Sequence, residues 1–342
     1  MSVLDTFNSD FFSTVSLTAS LEKLPFVPGF LGGLGIFEQV GIDSRTAVIE
    51  ERQGRLTLIP TAAPGTMPNS HQGSSKKGTA FPVPYIPLNA AVMASDVSGK
   101  RLFGSKNELE TVSAVVNQRL LEMRQSMETT FEYHRNGAIS GILLDADGTT
   151  EIYNFFSDFG TSEQTVDFDF SAATDIKAKC TSVIRNVQTA LGNAPFSGLI
   201  GLAGDTFWDE LIGHADVKAA YSRWNDGQVL FTQQMGGGNF VGNMGQQGFT
   251  FGGITFYNYR ANIGATPFVA TGNCRFVPVG VPGLFQHISA PGTFMEAAGT
   301  IGIPMYAKQE RMKFDVGVEL HVQANPLMIC TRPRCLVKGT NT

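Results

Sequence analysis

Two pairs of carboxylates are spaced so that they could do chemistry. Asp145 and Asp147 follow the apolar run Ile142-Leu143-Leu144, and Asp205 and Asp209 follow a second run, Leu199–Ala203. Carboxylates carried on two strand ends can together hold one Mg²⁺ with waters and a phosphate, because this hard cation takes oxygen ligands. The competing reading is conformational. Asp147-Gly148 between two apolar runs is what a tight hairpin needs, and an acidic residue opening a helix suits the helix dipole.

The string Ile142–Thr149 resembles the first motif of haloacid-dehalogenase-type phosphatases. The resemblance implies Asp145 as nucleophile and Asp147 as general acid/base. Gly204-Asp205-Thr206-Phe207-Trp208-Asp209 is similar to that family's acidic magnesium motif. That fold requires its first motif on a parallel sheet of alternating strands and helices, near the start of its domain. Here a long helical pattern precedes the motif, and no Thr or Ser motif at a strand end lies between the two clusters. The carboxylates are therefore read as turn and cap residues. No catalytic, cofactor-binding or metal-binding residue is assigned, and the Mg-dependent phosphatase stands as the alternative.

The other chemistry-bearing residues point the same way. His71, His134, His214, His287 and His321 are scattered, with no two at ligand spacing. Cys180, Cys274, Cys330 and Cys335 form no C-x-x-C pair and are read as reduced, buried thiols. The glycines between 236 and 248 do not make a phosphate cradle, because no G-x-G-x-x-G leads from a strand into a helix. The whole stretch 227–256, rich in Gly, Gln and Phe, is read as a surface loop.

The elements are more informative than the sites. Ser105 with Glu108 spells a capping box, and Leu109, Val112, Val116, Leu120, Met123 and Met127 recur at threes and fours. This predicts one rod of about 45 Å from Ser105 to Gly137, with Gly137 as its left-handed terminator. Ahead of it, Thr46–Arg52 predicts a strand that turns at Gln53-Gly54 and returns over Arg55–Pro60. A loop of about twenty residues then precedes an edge strand rich in Pro, Phe81–Leu88. After it come a hairpin over 139–155 and helices over Ala172–Leu191 and Thr206–Trp224. Met312 to Gln323 alternates without a miss and predicts one long strand, on whose sheet the rod would lie.

Composition bounds the partners. With 342 residues, 26 Phe, 38 Gly and only 16% charged residues, the chain suits a surface partly covered by other molecules. Its net charge of −5 lacks the basic footprint of a nucleic-acid binder, and Lys76-Lys77 alone does not make one. No run of about eighteen apolar residues predicts a membrane span, and no leader pattern opens the chain, so the expectation is a cytosolic protein. The first forty-odd residues are apolar but broken by Pro and Gly: an arm with Phe11, Phe12, Phe26 and Phe30 that must lie on its own body or on a neighbour.

Four strings carry a whole-chain resemblance: Leu24-Pro25-Phe26-Val27-Pro28-Gly29, Phe276 to Phe285 (FVPVGVPGLF), Tyr306 to Glu310 (YAKQE) and Asn325 to Pro333 (NPLMICTRP). Together with the order of arm, hairpin with long loop, rod, glycine-rich middle and final strand, they resemble the lambda-type major capsid proteins of tailed phages. The resemblance implies an α+β fold of the Hong Kong 97 type. Its parts would be an N-terminal arm (1–44), an extended β-hairpin loop (45–88), a peripheral domain with spine helix and sheet (89–165 and 303–342), and an axial domain (166–302). It implies hexamers and pentamers of the chain in an icosahedral shell that assembles in the host cytoplasm around double-stranded DNA without sequence-specific binding. The partners it implies are further copies, a scaffolding protein, a portal and, in some members, a decoration protein. There would be no cofactor, metal or membrane. Inter-subunit contacts are expected from the arm (Phe11, Phe12, Phe26, Phe30) and the loop (Pro64, Gly65, His71, Lys76, Lys77).

Overall fold

The computed structural model describes residues 29–52, 76–98, 108–171, 174–192, 194–224, 248–263 and 266–341. The axis of the fold is a helix, α3 (Glu108–Ser140), of 33 residues and hence about 50 Å. Val116, Leu120, Met123, Met127, Phe131 and Ala138 lie on one stripe at helical spacing, and all are buried. Ser105, the expected cap, lies outside the described residues, as do the side chains of Leu109 and Val112.

The helix does not stop at Gly137. That residue sits inside it where the following strand crosses, and a Cβ there would press on Ile142 and Leu143. The terminator is Gly141, with a left-handed φ of +81°.

The chain enters through a short helix, α1 (Phe30–Gly33), and β1 (Phe37–Gly41). β2 (Thr46–Arg52) pairs antiparallel with β3 (Lys76–Pro82), from Thr46↔Pro82 to Arg52↔Lys76. This corrects the expected return over Arg55–Pro60: the partner strand lies beyond the loop, and Lys76 and Lys77 belong to a strand. β4 (Ile86–Met93) and α2 (Ala94–Ser98) lead to the rod. β5 (Ile142–Leu144) and β6 (Glu151–Asn154) then make the predicted hairpin, followed by α4 (Phe155–Asp158).

A six-stranded mixed sheet follows, in the order β7-β18-β13-β8-β10-β9. Its strands are β7 (Gln164–Asp167), β8 (Gly198–Ala203), β9 (Gly248–Phe251), β10 (Ile254–Asn258), β13 (Asn273–Val279) and β18 (Val337–Thr340). The ribbon β11 (Asn262–Ile263) and β12 (Thr266–Pro267) lies between β10 and β13 in the chain. α5 (Ile176–Leu191), α6 (Asp205–Gly213) and α7 (Ala215–Trp224) cover the sheet with Val183, Val187, Phe207, Leu211 and Val217.

Three expectations shift here. α5 begins at Ile176, where the Asp175 side chain caps the amide of Ala178 at 3.0 Å. The single helix over Thr206–Trp224 is two, broken at His214. Within 227–256, expected as a surface loop, Gly248–Phe251 pairs with the strand Ile254–Asn258, and Phe249 and Phe256 are buried in the sheet core.

The second layer packs on the rod. β14 (Phe285–Ser289) pairs parallel with β1 and antiparallel with β17 (Pro326–Cys330), while β15 (Tyr306–Arg311), β16 (Gly317–Ala324) and β4 form an antiparallel sheet. β17 is buried at every residue, as an apolar run covered on both faces should be. Leu327, Met328 and Ile329 join Val318, Leu320 and Val322 beneath the rod, whereas Cys330 belongs to the core of the six-stranded sheet.

The expected strand Met312–Gln323 is shorter than its alternation. Lys313–Asp315 is a 3-10 turn, and pairing begins at Gly317. At the end of the stretch 303–342, Val337–Thr340 pairs with β13 and β7 in the six-stranded sheet.

Candidate functional site

The arm meets the rod through a buried carboxylate. Glu132 accepts from the Leu31 amide at 2.6 Å, from the Gly32 amide at 3.1 Å and from the Tyr259 hydroxyl at 3.1 Å. Arg135, one turn further along α3, reaches the same carboxylate at 3.3 Å and that of Glu128 at 3.8 Å. Elements from three parts of the sequence are thereby joined at one point: the end of the arm, the rod, and the segment after β10.

Phe30 packs on the rings of Tyr257 and Tyr259, at centroid distances of 5.3 and 5.6 Å. Burial, reinforced by the negative charge of Glu132, pushes the Tyr259 hydroxyl far above the usual phenol range. Burial also raises Glu128, with Arg135 and Arg124 pulling the other way.

Phe30, expected to contact a neighbour, is thus packed on its own chain, as are the following residues through β1. Phe11, Phe12, Phe26, Pro64, Gly65 and His71 lie outside the described residues, and of Lys76 and Lys77 only the strand backbone is described.

Among the described residues, the β2–β3 ribbon is held near its base, with Ile49 also packed on the core. Ala47 and Phe81 are buried, and Phe81 stands against Tyr153, Phe155 and Phe159. The Tyr153 hydroxyl donates to the Pro82 carbonyl, and the Val83 amide to Arg45 O at 2.9 Å. One step further out, Val48 is 62% exposed. No third strand covers the ribbon among the described residues.

The carboxylate pairs do not converge on a common sheet. Asp145 and Asp147 sit on the antiparallel β5–β6 hairpin, Asp205 at the first turn of α6 after β8 of the six-stranded sheet. Asp147 accepts from the amides of Thr149 and Thr150 and from both their hydroxyls. Those bonds, led by the Thr150 hydroxyl, hold it well below the usual carboxylate range. Asp205 pairs with Arg260 at 3.1 Å, and Asp209 is exposed. An antiparallel hairpin cannot supply the parallel strand a phosphatase nucleophile needs. Among the described residues, no cluster of three His, Cys, Asp or Glu side chains could hold a metal.

The four cysteines are free and buried, and burial pushes Cys180 up to about 12. His214 bridges two elements at the α6–α7 break, with Nε2 3.2 Å from Ser171 O and Nδ1 accepting from the Asp216 amide at 3.3 Å. His134, on the rod, and His287, on β14 against Phe131 of the rod, are buried, and burial lowers them to about 4 and about 3. The Glu132 junction was not singled out from the sequence. Its one signal was a Glu three residues before an Arg, a spacing that solvated helix pairs share.

Comparison with known proteins agrees with this geometry. The family described as "Phage major capsid protein E" matches residues 13–341. The major capsid protein of Salmonella phage Felix O1 (isolate Felix O1-VT1) is 22% identical over 95% of this chain and 95% of its own. Among solved structures, a putative capsid protein of a prophage of E. coli CFT073 superposes with a TM-score of 0.61 at 12% identity, covering 96% of this chain and 99% of that one. The capsid of an empty GTA particle superposes with a TM-score of 0.50 at 9% identity, over 93% and 92%. The fold is that of Hong Kong 97-type capsids, and with a shell-building family the phosphatase reading falls. The chain belongs to the phage major capsid protein E family, structural proteins of the phage head rather than enzymes.

Proposed function

We propose that copies of this chain close into hexamers and pentamers of an icosahedral shell around the double-stranded DNA of a tailed phage, the loop and the first part of the arm of each lying on its neighbours. The observation that carries this is the β2–β3 ribbon. An isolated two-stranded ribbon is marginal in water, and among the described residues this one packs on the body near its base, through Ala47, Ile49 and Phe81, with Val48 in solvent. A neighbouring copy supplies the missing cover.

Contacts of that kind are heterologous and close into rings where the rotation allows. Several per subunit give interfaces of the obligate class, roughly 2,000 Å² or more. The rod and its sheets are the stiff parts, and the arm and ribbon adapt between five-fold and six-fold rings. In this reading 1–44 is the arm and 45–88 the loop. Residues 89–165 with 303–332 form the peripheral domain, and 166–302 with the terminal strand 337–340 form the axial domain. A scaffolding protein, a portal and, where present, a decoration protein are the further partners, with assembly in the host cytoplasm. The net charge of −5 suits an inner wall along which DNA slides rather than sticks.

The test is negative-stain electron microscopy of the protein produced alone and together with the products of the neighbouring phage genes. Round particles, or sheets and tubes of hexamers, are expected. A monodisperse monomer or dimer in both preparations would overturn the reading.

A further inference from the structure

The turn that closes the β15–β16 hairpin is built in a way that costs an isolated subunit twice. Phe314 takes a left-handed backbone, φ 63° and ψ 18°, and its ring is 96% exposed. One other described non-glycine residue has positive φ, Asp169, whose short side chain accepts from the Ser171 amide and thereby supports its own turn. A phenylalanine has no such compensation, and bulky residues rarely adopt this conformation.

The exposed ring is not isolated. Met93 pairs with Gly317, the Ala94 amide donates to Val316 O at 3.1 Å, and the Met312 amide closes the turn on Gly317 O at 3.0 Å. Val316 is 51% exposed and Met93 40%. Three apolar side chains therefore share one end of the β15-β16-β4 sheet. Single exposed apolar residues are ordinary, but three at one end of a sheet, with a strained aromatic at the tip, mark an interaction surface.

We propose that this tip, Phe314 with Val316 and Met93, is a contact to a second copy of this chain in the shell, Phe314 being its anchor. The inference rests on the shell reading above and adds the residues that make one of its contacts. Shell subunits are surrounded by copies of themselves, so a copy is the occupant the family supplies. The charges beside the tip also permit it: Asp96, which accepts from the Met93 amide, Glu310 and Asp315 stand against Arg311 and Lys313, a net of −1, so two tips repel only weakly through their own charges.

Phe314→Gly separates the two costs, because glycine accepts the left-handed backbone without strain and removes the ring. The full-length variant is expected to melt at or above the parent temperature as a subunit. It should need at least about tenfold more protein for half-maximal particle formation, measured by sedimentation. Assembly at the parental concentration overturns the proposal, as do normal particles that fail only to take up a second phage protein. If the parent chain forms no particles in any preparation, the shell reading fails and this contact with it.

Phe314→Trp provides an independent reading that needs only a folded chain. Its emission, taken as the difference from the parent, should move to the blue when particles form. An unchanged spectrum on assembly would show the tip still in water, and would refute the contact.

Discussion

Replacing Glu132 by alanine tests whether the arm is held by the rod or merely rests on it. The carboxylate is buried, with 7% relative exposure, and serves the Leu31 amide, the Gly32 amide, the Tyr259 hydroxyl and Arg135. Each buried donor left unpaired costs about 1–3 kcal/mol, and breaking a buried ion pair costs about 3–5 kcal/mol. These do not add, because Arg135 keeps Glu128 at 3.8 Å and the Gly32 amide is only partly buried. A loss of about 3–5 kcal/mol is expected, a large share of the roughly 5–15 kcal/mol that a domain has. Glu128→Ala is the control: its carboxylate meets Arg135 at longer range and is destabilised by burial, so its removal should cost about 1 kcal/mol or less. The assay is urea unfolding followed by circular dichroism, below the concentration at which particles form. Amide exchange at Leu31 and Gly32 reports whether the arm detaches first. A loss below about 1 kcal/mol for Glu132→Ala, or equal losses for both variants, would refute the junction as described.

Three further perturbations follow from the same geometry. Val318→Asp places a carboxylate at a site 1% exposed beneath the rod, at a cost of several kcal/mol, and is expected to abolish soluble protein; a soluble, folded variant would disprove the face assignment. Gly141→Ala forces a Cβ into the Phe156 ring at a left-handed φ of +81°, and should lower stability by about 3 kcal/mol in urea titrations. His134 and His287 are lowered by burial, so their neutral forms contribute stability that is present above the unfolded pKa near 6.5 and lost as pH falls below it. Between pH 7.5 and 5.5 each should cost about 1.4 kcal/mol, and Glu128, raised by burial, titrates with the opposite sign. His287→Gln should flatten that slope, and an equally steep profile in the variant would exclude the histidine.

The rod was legible because its signal is local and repeated: Val116, Leu120, Met123 and Met127 recur at helical spacing, and all are buried. The free, buried cysteines were legible from their scatter. What failed was pairing. β2 was assigned the nearest alternating segment, yet its partner lies beyond the loop, because Ala47 and Phe81 find a core together and loop closure penalises length only logarithmically. His214 interrupts a continuous helical pattern through a bond to Ser171, a residue 43 positions away that no local window contains.

Met312 to Val316 shows most directly why a pattern can outrun its structure. The alternation is present in the sequence, but a strand extends only as far as its neighbours do. β4 leaves the sheet at Met93, opposite Gly317, and β15 ends at Arg311, opposite Val318. Residues 312–316 therefore have no ladder to join and become the turn between two strands. Their apolar members, which a longer sheet would have buried, stand at its edge instead. The position where the periodic reading breaks down is also the one where the isolated subunit is left with exposed apolar surface, and a shell of copies is the setting in which that surface is covered.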